Sequence, residues 1–181
     1  MAKTSKSIQI REPMTWCYIR QSLSRVEQRH TADFQYDECY QSWKANYQRF
    51  GFPKWAGKQN AFVDVDTSGR KTRFEERTEG KRLLAKVREG DHLFVWRIDR
   101  LGRRIFDIMD TVGRLVEKMQ VRVHVANLGG QAMDLGSVAG KCVLMGLSLA
   151  AEIEGEAISE RTRATHAYRK SAGLPVCGRP P

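Results

Sequence analysis

Between Gly136 and about Lys170 the chain carries no proline and no strand signal, and Gly173 and Pro175 follow as stop signals. At about 1.5 Å per residue an uninterrupted helix here is about 50 Å long. A domain of 181 residues cannot cover so long a rod, so half of it is expected to pack on another subunit. Its first half is apolar (Val138, Val143, Leu144, Leu147, Leu149) and its second half charged. That polarity suits a helix that leaves a core or interface and ends on something anionic.

Ahead of this segment, strand-like and helix-like stretches alternate. Met14 to Ser22 is rich in β-formers and reads as a first strand. Over 31–50, Phe34, Tyr40, Trp43, Tyr47 and Phe50 recur at helical intervals. A Gly/Pro-containing loop precedes a short strand, Ala61 to Val65, and Glu75 to Arg88 has helical composition with Leu83, Leu84 and Val87 on one side. The run His92 to Ile98 suits a buried strand, Ile105 to Met119 a helix with Ile108, Val112 and Leu115 inward, and Val121 to Ala126 a fourth strand. Such alternation predicts an α/β fold, a mostly parallel sheet of four to five strands with flanking helices. The expected organisation is a loose lead-in over 1–13, an α/β core over 14–135, the long helix over 136–172 and a linker over 173–181.

Composition narrows the function. Lys plus Arg number 31 against 21 Asp plus Glu, a formal +10 that favours a polyanionic partner, nucleic acid or an anionic membrane surface. The most apolar segment, Cys142 to Ile153, is too short to span a bilayer, and the amino terminus lacks the apolar stretch of a signal peptide. Four cysteines and four histidines form no CxxC or HxxxH pattern, so neither a disulfide framework nor a metal site is signalled. The reading is a protein of a reducing, cytoplasmic compartment with no membrane partner.

Three constellations can carry chemistry. Tyr18, Arg20 and Ser22 alternate onto one face at the carboxyl end of the first strand, where open α/β sheets place their sites; Ser24 is a rival hydroxyl on that face. Asp99, Arg100 and Arg103 follow the strand of His92 to Ile98. There Asp99 could cap the next helix, and the two arginines, three apart, could clamp a phosphate. The third is Asp64-Val-Asp66-Thr-Ser68-Gly, followed by Arg77. From Arg70 to Arg122 there are fifteen Lys or Arg against nine Asp or Glu, which places the basic face around these loops. A hydroxyl ringed by guanidinium groups suits phosphoryl transfer, with an oxygen nucleophile and fixed positive charge for the equatorial oxygens. No Walker-type loop occurs.

These motifs, in this order, resemble the catalytic domain of the serine recombinases, which include resolvases, invertases and phage integrases. The resemblance runs from about Trp16 to Pro181. It rests on Tyr-x-Arg-x-Ser at 18–22, Asp-x-Asp-x-Ser-Gly at 64–69, Arg77, Asp-Arg-Leu-Gly-Arg at 99–103, the run from Ala151 to Thr162, and Gly-Arg-Pro-Pro at 178–181. It implies site-specific recombination of double-stranded DNA, with Ser22 attacking a phosphate to leave a 5′-phosphoserine link and a free 3′-hydroxyl. The reaction is transesterification, without cofactor, ATP or metal. Carried over, Arg20, Arg77, Arg100 and Arg103 hold the phosphate, and Asp99 orients them or moves the proton. Tyr18, Asp64 and Ser68 support the pocket. The 136–172 helix is implied as the interface of a dimer and synaptic tetramer, with Arg161, Arg163, Arg169, Lys170 and Arg179 toward DNA.

The sequence departs from the family pattern in three places. Val26 stands where the family usually has Gln, with Gln28 or Gln35 as substitutes. Glu154 is followed by Gly155 rather than Arg, with Arg161 as the alternative supply. Gly-Arg-Pro-Pro normally leads into a DNA-binding region, and the chain stops there. Two other classes share these residues: a non-catalytic basic DNA-binding module, and a metal-dependent nuclease drawing on Asp64, Asp66 and Asp99.

Overall fold

The computed structural model describes residues 11–22, 31–66, 72–102, 104–128 and 131–173. Six strands among them form one sheet: β1 (Met14–Ser22), β2 (Lys54–Trp55), β3 (Phe62–Asp66), β4 (His92–Val95), β5 (Arg122–Leu128) and β6 (Gln131–Asp134). The order is β2-β1-β4-β5-β6, with β3 paired beside β2 on the same flank of β1. Every pairing is parallel except β5 with β6. The helices are α1 (Ala32–Phe50), α2 (Thr78–Lys86), α3 (Ile105–Gly113) and α4 (Val138–Ser171). The α/β class and its mostly parallel sheet are as read from the sequence.

The sheet has six strands rather than four or five. Neither unforeseen strand carries a run of β-forming residues. Lys54–Trp55 is a two-residue rung within a Gly/Pro loop, and Gln-Ala-Met-Asp of β6 has no β-branched residue and pairs as a hairpin back onto β5. The strand expected over His92 to Ile98 ends at Val95, because Ile98–Arg100 turns into a 3₁₀ segment. The helix expected over Glu75 to Arg88 is divided: a 3₁₀ turn (Phe74–Glu76), an extended Arg77, then α2. The last turn of the third predicted helix widens to a π turn at Arg114–Lys118.

α1 packs on β1, β4 and β5. Thr31 Oγ1 caps its start by accepting from Phe34 N at 3.2 Å, and Gly51 ends it at φ 63°, a left-handed conformation that favours glycine. Its inward stripe is Gln35, Tyr36, Cys39 and Trp43, whereas Phe34, Tyr47 and Phe50, expected on the apolar face, are exposed. Under that stripe lie Cys17, Ile19, Trp55, Phe94 and Trp96, the core of this face. Alternation along β1 turns Trp16 and Tyr18 the other way, onto Phe62 and Phe74 beside α2.

Two buried polar groups brace the strands. Asp91 is fully buried and accepts from Met14 N, Trp16 Nε1, Arg88 N and Arg11 Nη2 at 2.6–3.0 Å, tying β1 to the turn before β4. His124 Nε2 lies 3.2 Å from His92 Nδ1, between Phe52 and Phe94. Burial lowers both histidines, His92 to about 4 with the neighbouring His124 and Arg122 adding to the effect, and His124 to about 3 with Arg122.

The chain divides into two compact units, 1–141 and 142–181. The expected core boundary was 135, and the long helix expected from 136 begins at Val138. Over its 34 residues α4 is about 50 Å long. Met145, Leu149 and Ile153, at four-residue spacing, are exposed, as are Arg161, Arg163, Arg169 and Lys170 further along. Among the described residues no helix is long and apolar enough to cross a membrane.

Candidate functional site

β1 and β3 run parallel with Arg20 opposite Asp64 and Ser22, the last residue of β1, opposite Asp66. Tyr18 and Arg20 therefore occupy one side of the strand, as the alternation requires. Tyr18 is fully buried; its hydroxyl donates to Asp64 Oδ2 at 2.9 Å and accepts from Arg77 Nη1 at 3.0 Å. Burial, the largest cause, raises the phenol well above its usual range, so it stays a proton donor to Asp64. Arg77 lowers it in opposition and Asp64 raises it further.

Asp64 has a second duty. It accepts from Glu79 N at 3.0 Å and Gly80 N at 3.1 Å, capping α2 from another element with a charge that suits a helix amino terminus. Gly80 has no alternative here, since a Cβ would run into the Phe74 carbonyl.

Three arginines converge at this end of β1, and all are buried: Arg20, Arg77 and Arg100 are 6%, 9% and 5% exposed. Arg77 Nη1 donates to Arg100 O at 2.7 Å, and its Nε reaches Thr72 O at 3.4 Å. Arg100 Nη1 donates to Arg20 O at 2.9 Å, and its Nη2 to Asp99 Oδ2 at 2.9 Å. The Arg77 guanidinium thus holds the backbone of Arg100, and the Arg100 guanidinium that of Arg20. Arg77 is held by uncharged oxygens, and the carboxylates of the cluster, Asp64 and Asp99, are already engaged. A buried guanidinium held by uncharged oxygens, as that of Arg77 is, is costly unless an anion lies near it, which makes this end of the cluster a candidate anion site.

Asp99 does not cap α3. It sits in the 3₁₀ turn Ile98–Arg100, five residues ahead of the helix N-cap Arg104, because the chain needs Leu101 and Gly102 buried before α3 can begin. Its carboxylate is 43% exposed and lies 3.8 Å from Arg97 Nε as well as against Arg100. Gln35, one of the two proposed substitutes for the missing glutamine, is buried, and its Nε2 donates to the same Arg20 carbonyl at 3.2 Å.

Gln28, Ser24, Ser68, Arg103 and Arg179 lie outside the described residues. Glu154, Arg161, Arg163, Arg169 and Lys170 lie along α4. Among the described residues no cluster of His, Cys, Asp or Glu is arranged to hold a metal ion, and both oxygens of Asp64 are engaged by protein donors. The residues that sequence reading missed are Phe74, whose ring meets Tyr18 edge-on at 4.8 Å, and Trp96, which lies against Arg100. The only advance signal for Trp96 was its place at the carboxyl end of an apolar run.

The family model described as resolvase, N-terminal domain, matches residues 15–174. The chain belongs to this family. Within it, the chain is 42% identical over 106 residues to the serine recombinase PinR of Escherichia coli, covering 59% of this chain and 52% of PinR. It is 41% identical over 92 residues to the transposon Tn2501 resolvase of Escherichia coli, covering 51% and 46%. The chain thus spans about half the length of these curated relatives. Its fold is shared with the N-terminal catalytic domain of TP901-1 integrase, at a TM-score of 0.56 and 24% identity over 79% of this chain and 97% of that one.

Proposed function

We propose that this chain is the catalytic part of a site-specific DNA recombinase that cuts and rejoins double-stranded DNA through Ser22. The observation that carries the reading is the chain of buried arginines, Arg77 to Arg100 to Arg20, gathered where β1 ends in Ser22. Membership of the resolvase family and the recombinase names of its relatives support it.

In this reading Ser22 Oγ attacks a backbone phosphorus. The Oγ–P bond forms, the P–O3′ bond breaks, and the proton leaving Oγ ends on the 3′ oxygen, with Asp99 assigned to pass it. Arg20, Arg77 and Arg100, joined by Arg103, stabilise the extra negative charge on the equatorial oxygens. Tyr18, Asp64, Ser68 and Gln35 hold these groups in place. Attack of the 3′-hydroxyl on the phosphoserine reverses the step, and because one ester replaces another no external energy source is required. The exposed apolar row Met145, Leu149 and Ile153 serves as the contact between copies in a dimer and a synaptic tetramer. Arg161, Arg163, Arg169 and Lys170, with Arg179 beyond, lie along the DNA backbone and give binding that weakens steeply with salt.

The test is covalent capture on DNA carrying a nick near the cut site, with EDTA present. The reading expects a protein–DNA adduct from the unaltered protein and none from Ser22→Ala. Salt-sensitive binding without any adduct supports a DNA-binding module instead, and cleavage abolished by EDTA supports a metal-dependent nuclease.

A further inference from the structure

Trp96 is 4% exposed and stands one residue beyond β4, its carbonyl accepting from Asn127 N at 2.9 Å and so extending the sheet by a rung. Part of the indole belongs to the core under α1, with Phe94 and Ile19. The guanidinium carbons of Arg100 and Arg97 lie 5.5 Å and 5.6 Å from its ring centroid. Phe34, in the first turn of α1, meets the indole edge-on at 5.5 Å and 85°. The next residue, Gln35, donates to the Arg20 carbonyl that also accepts from Arg100.

The two hydrogen bonds of Arg100 run from Nη1 to Arg20 O and from Nη2 to Asp99. Two such anchors hold the terminal nitrogens, while Nε is buried with no hydrogen-bond partner among the described residues, so the inner edge of the plane is set by what packs against it. A buried aromatic face sets its tilt, and a desolvated cation is attracted to such a face more strongly than an exposed one. We infer that Trp96 is a positioning residue for Arg100: its indole fixes the plane of the guanidinium, and the first turn of α1 fixes the indole through Phe34. This inference rests on the strand-cleavage reading above. Arg97, 54% exposed by its side chain, shares the ring but is not confined by it.

The experiment is single-turnover adduct formation on nicked DNA at saturating protein, comparing the unaltered protein with Trp96→Phe and Trp96→Leu and fitting rate constant and amplitude separately. A role confined to packing lowers the amplitude, the share of folded protein, and leaves the rate constant unchanged. The inference expects Trp96→Leu to lower the rate constant about tenfold with DNA affinity unchanged, and Trp96→Phe to restore most of it. Should Trp96→Leu fail to fold, Trp96→Met takes its place with the same expectation. A leucine or methionine variant with the wild-type rate constant, or a loss confined to amplitude, overturns the inference while leaving the cleavage reading standing. Absence of any Ser22-dependent adduct from the unaltered protein overturns both.

Discussion

Arg77 donates through Nη1 to the backbone carbonyl of Arg100 at 2.7 Å, so the side chain of one arginine fixes the main chain of another twenty-three residues later. The same nitrogen serves Tyr18, and Nε serves Thr72. A lysine offers one compact ammonium and cannot meet acceptors spread around a planar fork. Arg77→Lys is expected to lower stability by about 1–3 kcal/mol, as for orphaned buried partners, and to slow adduct formation at least tenfold. Thermal unfolding and single-turnover cleavage measure the two effects. An Arg77→Lys protein with wild-type values of both contradicts the arrangement.

Arg100 faces the same demand with less room. Its terminal nitrogens are drawn to different acceptors, Arg20 O and Asp99, from a side chain that is 6% exposed. Arg100→Lys therefore keeps the charge and loses the geometry, and the cleavage rate is expected to fall at least tenfold with DNA affinity little changed. Adduct kinetics on nicked DNA read the rate, and filter binding reads the affinity. Wild-type cleavage by the lysine variant would remove the planar-fork account.

Much of this arrangement was legible in the sequence. The bounds of β1 match those read from its β-forming residues, and α1 starts one residue from its predicted limit, because Thr31 and Gly51 are strong local signals. What escaped was set by distant partners. Gln-Ala-Met-Asp becomes β6 only because β5 offers an edge, and Asp99 misses the helix because its turn is bent by the burial of Leu101 and Gly102. Trp96 meets Phe34 across sixty-two positions, a contact no local pattern announces. Asp91, beside Gly90 just ahead of β4, is the fully buried acceptor for β1, a role that no local pattern announces.

That carboxylate makes a stability prediction independent of function. Asp91→Ala leaves Met14 N, Trp16 Nε1 and Arg88 N without their acceptor inside the protein. The expected loss is about 3–5 kcal/mol, comparable to breaking a buried ion pair. Urea unfolding should show a lower midpoint at unchanged slope. A loss below about 1 kcal/mol would mean these donors find other partners.

The buried His92–His124 pair sets a pH dependence. Both groups titrate lower when folded, at about 4 and about 3, than the usual value near 6.5. The unfolded chain therefore takes up protons first. Their contribution is fully present above pH of about 6.5 and is lost as pH falls through the window down to those folded values, at a slope approaching roughly 1.4 kcal/mol per pH unit for each histidine. Unfolding measured between about pH 6.5 and 5, where few carboxylates titrate, should show stability falling with acid. The double substitution His92→Gln and His124→Gln should flatten that slope. A profile flat in the unaltered protein would show that the pair protonates without cost.

The central claim is that the Ser22 oxygen becomes esterified to a 5′-phosphate of DNA, and peptide mapping of the captured adduct tests it most directly. After nuclease and protease digestion, mass spectrometry should find the nucleotide remnant on the peptide containing Ser22, on that serine. A remnant on Ser24 or Ser68, or the absence of any covalent remnant from protein that binds and cuts the DNA, would contradict the account.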